Sequence, residues 1–349
     1  MSIGIALLGA GIFAREEHLP AIKKNAKLNL KAIYSRSKAS SQKLAGEVET
    51  PVDIYFDSPS EEDHGLDELL KRPDIEAVII CLPITAQHSV TKKALTAGKH
   101  VLSEKPIAAN VEKAQDLIQF RQQLGKDSVW LVAENFRFLD VIAHGHAKLK
   151  EIGGDLVSFH TNVFTLIDDK DKYYQTEWRQ VPDYQGGFLL DGGVHFIAGL
   201  RYLLQALGQD IASLAAYTAL VQPKLAPVDT VHAVLATTSG RSGWFSVSFG
   251  AAFDAGFELV VVTTQGRVSV TPTNVSSVYL DETGQKQEQK KDFEFSAGVA
   301  AELEAFAASI SSRTVDPRAS PEQALKDIFI VESMLDSGAG NAVSKVISF

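Results

Sequence analysis

Between residues 3 and 133, short apolar runs alternate with amphipathic segments, and that alternation leaves few folds open. The runs are Ile3–Leu8, Leu28–Tyr34, Ala77–Leu82, Val101–Ser103 and Val129–Ala133, each nearly continuous in apolar residues. Strands covered on both faces by helices read this way, as in parallel sheets. The segments Ala39–Val48, Leu66–Lys71, Gln87–Ala97 and Val111–Leu124 carry helical patterning. A βαβα order predicts a doubly wound α/β domain with ligands at the carboxyl ends of its strands. Asp53–His64 is polar, contains Pro59 and reads as a loop.

The first strand runs into Gly9-Ala10-Gly11-Ile12-Phe13-Ala14, a G-x-G-x-x-A turn that opens a helix. Gly9 permits the tight turn, Gly11 lets a pyrophosphate approach the backbone, and Ala14 allows close helix–strand packing. Free N–H groups at the helix start, around Ile12 and Phe13, then face the phosphates. Pro20 predicts a kink near His18–Leu19. The second strand ends in Ser35-Arg36-Ser37-Lys38, with no acid to accept from a ribose. Two hydroxyls and a guanidinium suit a 2′-phosphate, so the expected cofactor is NADP(H). Leu82 and Pro83 end the run that starts at Ala77 and border the cofactor, with His88 at the start of the next helix; Cys81 reads as a small buried hydrophobe. The next run ends on Glu104-Lys105-Pro106, a lip where a lysine can be held over something bound.

The remaining totals bound the classes. A chain of 349 residues is long enough for two domains. A net charge of −9 argues against a direct nucleic-acid or anionic-membrane binder. The lone cysteine excludes an internal disulfide framework and fits a reducing compartment. No run reaches the roughly 20 apolar residues that span a bilayer, and no basic region precedes the first strand, so the expectation is a cytoplasmic protein.

After Glu134-Asn135-Phe136-Arg137-Phe138 and a helix to Gly153, strand candidates follow in succession. They are Asp155–Ile167, Ala212–Val221, Val228–Thr238, Gly243–Ala252, Phe257–Thr264, Arg267–Thr271 and Ser277–Leu280. Many alternate, which predicts an α+β domain with a large open, mainly antiparallel sheet covered on one face. Gln285–Lys291 is a polar, Gln/Lys-rich stretch. Within Gly186-Gly187-Phe188-Leu189-Leu190-Asp191-Gly192-Gly193-Val194-His195, helical spacing puts Asp191, His195, Ala198 and Tyr202 on one face. Ile197, Leu200, Leu204 and Leu207 take the opposite face, and Gly208 is the stop. The expectation is an uncrowded Asp/His face, with close approach of a backbone or ring explaining Gly192 and Gly193. His144, His146 and His232 form no cluster at metal-ligand spacing, so no metal is expected.

The run Ala97-Gly98-Lys99-His100-Val101-Leu102-Ser103-Glu104-Lys105-Pro106, downstream of the dinucleotide turn, resembles the family of glucose–fructose oxidoreductase, inositol dehydrogenase and rhizopine-catabolism proteins (Gfo/Idh/MocA). Gly186–His195 is similar to that family's G-G-x-x-x-D-x-G-x-H motif, and Pro321–Gly338 to its late helix. The resemblance implies an NADP-binding Rossmann domain over 1–127 and a substrate and oligomerisation domain over 128–349, with the late helix, about 321–337, able to pack back on the first domain. It implies a cis Lys105–Pro106 bond and a homo-oligomer through the open sheet face. It implies hydride transfer between nicotinamide and a carbinol or carbonyl carbon of a sugar, polyol, inositol or diol. Lys105 would then stabilise the reacting oxygen, His195 would exchange its proton, and Asp191 would orient both. Glu104 and Pro106 support Lys105 beside the cofactor. Trp178 and Arg179 resemble a frequent Trp-Arg pair, and Arg137 is a third candidate for substrate contact. Ala198 departs from the family's H-x-x-D, which puts one substrate-hydroxyl contact in doubt. The rival is a non-catalytic, NADP-binding transcriptional regulator of the same fold. The presence of Lys105, Asp191 and His195 favours the enzyme.

Overall fold

In the computed structural model, which describes residues 2–60, 62–125 and 127–348, the apolar runs of the first third become adjacent parallel strands. They are β1 (Ile3–Leu8), β2 (Leu28–Ser35), β3 (Asp53–Phe56), β4 (Ala77–Ile80), β5 (His100–Glu104) and β6 (Trp130–Ala133). The sheet order is β3-β2-β1-β4-β5-β6, with every neighbour parallel. Helices α1 (Leu19–Lys24), α2 (Lys38–Ala45), α3 (Leu66–Lys71), α4 (Ile84–Thr96) and α5 (Val111–Leu124) link the strands, and β1, β4, β5 and β6 are buried along their whole length. The order reverses between β1 and β4, which is where such sheets bind dinucleotides.

One local expectation needed correction, and one polar stretch proved to be a strand. Part of the expected loop Asp53–His64 is β3, which pairs with β2 from Ala32↔Asp53 to Ser35↔Phe56. It is an edge strand that buries only Phe56, so it carries no apolar run to detect; Glu61 of the same stretch lies outside the described residues. Gln285–Lys291 likewise falls almost wholly in a strand, β14 (Lys286–Asp292), held by its backbone ladder to β13 (Asn274–Leu280). The break expected at Pro20 is a π-helical segment, Ala14–His18, where the Leu19 N–H reaches the Ala14 carbonyl. Proline has no N–H to extend the ordinary ladder, and the wider turn absorbs that loss.

The second sheet has nine strands in the order β14-β13-β12-β11-β7-β10-β9-β8-β15. Its other members are β7 (Leu156–Phe164), β8 (Ile211–Ala219), β9 (Thr230–Thr237), β10 (Ser242–Ser248), β11 (Gly256–Thr263), β12 (Gly266–Val270) and β15 (Lys345–Val346). Only β7 and β10 pair in parallel; the remaining registers given are antiparallel. Helices α6 (Asp140–Ile152) and α8 (Gly187–Gln205) pack on one face. On the other, Tyr217, Val234, Trp244 and Val346 are exposed. The alternation in β10 holds, with Phe245 and Val247 buried beneath an exposed Trp244.

The chain divides into two compact units, Met1–Glu134 with Val299–Leu325 and Asn135–Gly298 with Lys326–Phe349. The return of α9 (Val299–Ser312) to the first unit is an excursion that a single boundary at 127/128 does not include. Within the second unit, Arg137, Arg201 and Asp327 are almost fully buried together. Arg137 and Arg201 each donate to Asp327 Oδ1 at 2.7 Å, and Arg201 also donates to both Asp210 oxygens at 2.9 and 2.8 Å. Asp327 lies in α10 (Pro321–Ala339), so the cluster ties that helix to α8 and to the turn Asn135–Phe138. Removing one member leaves buried charge without compensation. Asp327→Ala is therefore expected to lower stability by about 3–5 kcal/mol, read as a fall in the denaturant midpoint of the transition that reports on the second unit. A loss below roughly 1 kcal/mol would show the cluster to be energetically idle.

Candidate functional site

The dinucleotide turn is built by contact. Gly9 has a φ of +122°, and a Cβ there would lie 2.0 Å from the Cys81 carbonyl oxygen. Only glycine fits, because both the conformation and the space exclude a side chain. At Gly11 no atom lies within 4 Å of a Cβ position. That leaves an open cradle above Ile12 and Phe13, the first helical residues, while Ala14 is fully buried beneath. The residues at this turn fit a bound pyrophosphate.

Ser35 ends β2, and Arg36 beyond it is exposed. Ser37 caps α2, its hydroxyl accepting from the Ser40 N–H at 3.2 Å. The nearby carboxylate of Asp57 is engaged by the Tyr34 hydroxyl at 2.7 Å, and burial together with Asp57 pushes the Tyr34 phenol up. Leu82 and Pro83 follow β4, half-buried, and Pro83 leads into α4. His88 is committed elsewhere: its Nε2 lies 2.5 Å from Asp116 on α5, an oxygen it shares with Lys92.

Lys105 follows β5, and its bond to Pro106 is cis, as the family resemblance implied. Glu104 bridges two groups. Its Oε2 accepts from the Lys105 backbone N–H at 3.2 Å, and its Oε1 lies 2.6 Å from His18 Nε2. His18 is fully buried and meets the Phe13 ring edge-on at 5.4 Å. Among the described residues, His18, Cys81 and Glu104 form the one group of His, Cys and acidic side chains with ligand atoms all within 4.8 Å. His144, His146 and His232 are not part of it. An ion there would have to displace the His18–Glu104 hydrogen bond.

In the second unit, α8 carries the Asp/His motif. Asp191 is buried and accepts from Arg179 Nε at 2.7 Å. Arg179, in the short helix α7 (Glu177–Gln180), lies over the Trp178 ring at 3.9 Å and near Tyr173 at 5.3 Å. Cation–π contacts on two rings hold the guanidinium in place. Tyr184 is buried with its hydroxyl unpartnered, and burial and the Asp191 charge push its phenol well up. His195 stacks on Phe136 at 4.6 Å. The close approach expected at the glycine pair is found at Gly192 alone, where a Cβ would come within 2.8 Å of the Phe249 ring; a Cβ on Gly193 would meet only Leu189, at 3.5 Å.

Two expectations change here. The Asp/His face of α8 is not uncrowded, since Asp191 and Ala198 are buried and only Gly192, His195, Tyr202 and Gln205 are partly open. The sheet, α6 and the turn at Phe136 enclose the helix, so its apolar stripe is wider than spacing indicated. Arg137 is 1% exposed and spent on Asp327, a structural ion pair closed to a ligand. Sequence reasoning passed over His18, Glu302, Tyr173 and Tyr184. Only His18 carried a signal, as the residue at the expected kink; the others are single residues whose neighbours arrive from distant segments.

Residues 3–131 match the Gfo/Idh/MocA oxidoreductase family's NAD-binding Rossmann fold, and residues 150–346 match its C-terminal alpha/beta domain. Dehydrogenase FPY6 of Fusarium mangiferae is 46% identical over 347 residues, covering 99% of both chains. A dTDP-3,4-didehydro-2,6-dideoxy-alpha-D-glucose 3-reductase of Saccharopolyspora spinosa is 32% identical over 58% of this chain and 56% of its own. Among solved structures, an oxidoreductase from Thermotoga maritima superposes with a TM-score of 0.86 at 27% identity, covering 99% of both chains. A glycine cradle at the switch point, a Glu-Lys-Pro lip and an Asp/His helix thus occur in a chain that matches both domains, and this chain belongs to the Gfo/Idh/MocA family of NAD(P)-binding oxidoreductases.

Proposed function

We propose that the protein is an NADP(H)-dependent oxidoreductase that moves hydride between nicotinamide C4 and a carbinol or carbonyl carbon of a sugar, polyol, inositol or diol-type molecule. The observation that carries the cofactor reading is the end of β2. Arg36 is exposed and flanked in sequence by Ser35 and Ser37, and the Asp57 carboxylate, which with Arg36 acts on Tyr34, is bound by the Tyr34 hydroxyl. A guanidinium takes a phosphate through paired, charge-assisted hydrogen bonds that a 2′-hydroxyl cannot match.

When bound, the cofactor supplies or takes the hydride, and the protein's part is orientation and the proton. Lys105, fixed through its own backbone to Glu104, offers an ammonium to the reacting oxygen and stabilises charge developing there. His195 exchanges the proton, its ring held by the Phe136 stack. Asp191, already paired with Arg179, lies one helical turn before His195 on α8 and orients it, and Trp178 presents a ring face suited to a sugar. Sugar chemistry is supported by the similarity to the Saccharopolyspora 3-reductase, and dehydrogenation by the similarity to the Fusarium dehydrogenase. The exposed Tyr217, Val234, Trp244 and Val346 support a homo-oligomer through the sheet face. Among the described residues, no helix is long and apolar enough to cross a membrane.

Three measurements test this reading. Fluorescence titration is expected to show NADPH binding well above NADH. Arg36→Ala should weaken NADPH roughly 10- to 150-fold while sparing NADH, the range for losing a charged hydrogen bond. Equal affinities in the parent protein would end the NADP assignment. A panel of sugars, polyols, diols and carbonyl compounds, followed at the nicotinamide absorbance band, should yield a substrate. On it, Lys105→Met and His195→Asn should each reduce kcat/KM by about 10²–10⁴-fold. Undiminished activity in either variant removes that residue from the mechanism. Light scattering should find an assembly larger than one chain, shifted toward the monomer by Trp244→Asp; a monomeric parent would dismiss the oligomer.

A further inference from the structure

The acids buried beneath the Lys105 lip have no part in the reading above. Glu302 lies on α9, fully buried, and neither carboxyl oxygen has a hydrogen-bond partner. Buried polar atoms in native proteins are nearly always satisfied, so a carboxyl left this way calls for a reason. Helix α9 packs on α1 and on the π-helical turns that carry His18. His18 is equally buried, with Nδ1 unpartnered and Nε2 on Glu104 at 2.6 Å. Glu134 follows β6, and the last β5–β6 pair is Glu104↔Ala133, so Glu104 and Glu134 leave neighbouring strands side by side. Burial first, then Glu104, then Glu134 hold the Glu302 carboxyl well above the usual carboxylate range, which favours its protonated form. Cys81 Sγ lies within 4.8 Å of the His18 and Glu104 ligand atoms, and Lys105 follows Glu104 in the chain.

Glu302 shares this interior with the buried Glu104 and Glu134, and like charges at low dielectric repel strongly, so ionising Glu302 is costly. The proton balance of such a buried acid shifts when the local field changes. The field here has a source. With the strand order reversing between β1 and β4, the adenosine half of a dinucleotide lies toward β2 and the nicotinamide half toward β4 and β5. That ring is cationic when oxidised and neutral when reduced.

We propose that Glu302, His18, Glu104 and Glu134 form a proton-sharing cluster coupled to the redox state of the bound dinucleotide, releasing a proton when the oxidised form binds and keeping it when the reduced form binds. The inference rests on the dinucleotide-dependent function proposed above. No bond other than O–H or N–H changes, and the proton passes from the cluster to solvent. By reciprocity, raising the pH favours the oxidised over the reduced cofactor, because the ionised cluster stabilises the cation.

Calorimetric titration of the full chain with NADP⁺ and with NADPH, in buffers of different ionisation enthalpy, counts the protons exchanged. The 2′-phosphate titrates in both cofactors and cancels in the difference. Expected is a greater release with NADP⁺, by up to about one proton per site, abolished in Glu302→Gln. Infrared difference spectra of the parent protein should show a carboxylic-acid band bleached by NADP⁺, which decides the matter should the variant not fold. Equal proton counts for the two cofactors, or a difference that survives Glu302→Gln, would overturn the cluster's role while leaving dinucleotide binding intact. Should NADP fail to bind and NAD bind, the same comparison with NAD⁺ and NADH decides it. Failure of both pairs to bind would instead refute the dinucleotide reading, and this inference with it.

Discussion

The ligand-facing edge of the first unit depends on one close approach. Gly9 abuts the Cys81 carbonyl so tightly that a single added carbon would lie 2.0 Å from its oxygen. The backbone bonds that force this are those of the sheet: Cys81 N–H donates to Leu8 at 2.7 Å, and Gly9 N–H to Tyr34 at 2.8 Å. With β1, β2 and β4 ending level, the next helix starts directly over the gap, and its N–H groups point where a phosphate can sit. The Ser35–Ser37 corner and the Glu104–Lys105 lip then flank that point by strand order alone. A larger residue at position 9 would push β1 off β4 and misplace all of them.

Burial decides what each charged group does. Arg137 and Arg201 share Asp327 in an interior that water does not reach, and their work is to hold helices together. Arg179 and Asp191 make a pair of the same length, 2.7 Å, in an aromatic setting of Trp178, Tyr173 and Tyr184. There the pair keeps a fixed carboxylate and a fixed cation near the open side of α8. Glu302 represents the third case, an acid whose oxygens have no hydrogen-bond partner, in which burial favours the protonated form.

Much of this was legible before any coordinates. Runs such as Ala77–Leu82 and Val129–Ala133 announced buried parallel strands, because a strand covered on both faces has no polar side to show. Val111–Leu124 became a helix with the expected ends, and Gly192 meets a ring as its cost implied. The misses share one cause. β3 and β14 are edge strands held by main-chain ladders, and periodicity in side chains does not report on main-chain partners. Arg137 stood as a candidate for substrate contact, and nothing local announces Asp327, 190 positions away.

The sequence by itself determined the layer architecture, the phosphate-binding turn, the Glu-Lys-Pro lip and the Asp/His helix, all of which depend on residues within a turn or two of one another. Tertiary structure alone decided which charges are spent and which remain available. His18 meets Glu104 across 86 positions, Asp327 gathers two arginines, and Glu302 arrives on a helix from the far end of the chain. Local pattern sets backbone conformation through short-range sterics and hydrogen bonds. The charge state and commitment of a side chain depend on solvent exclusion and on neighbours that only the folded chain brings together.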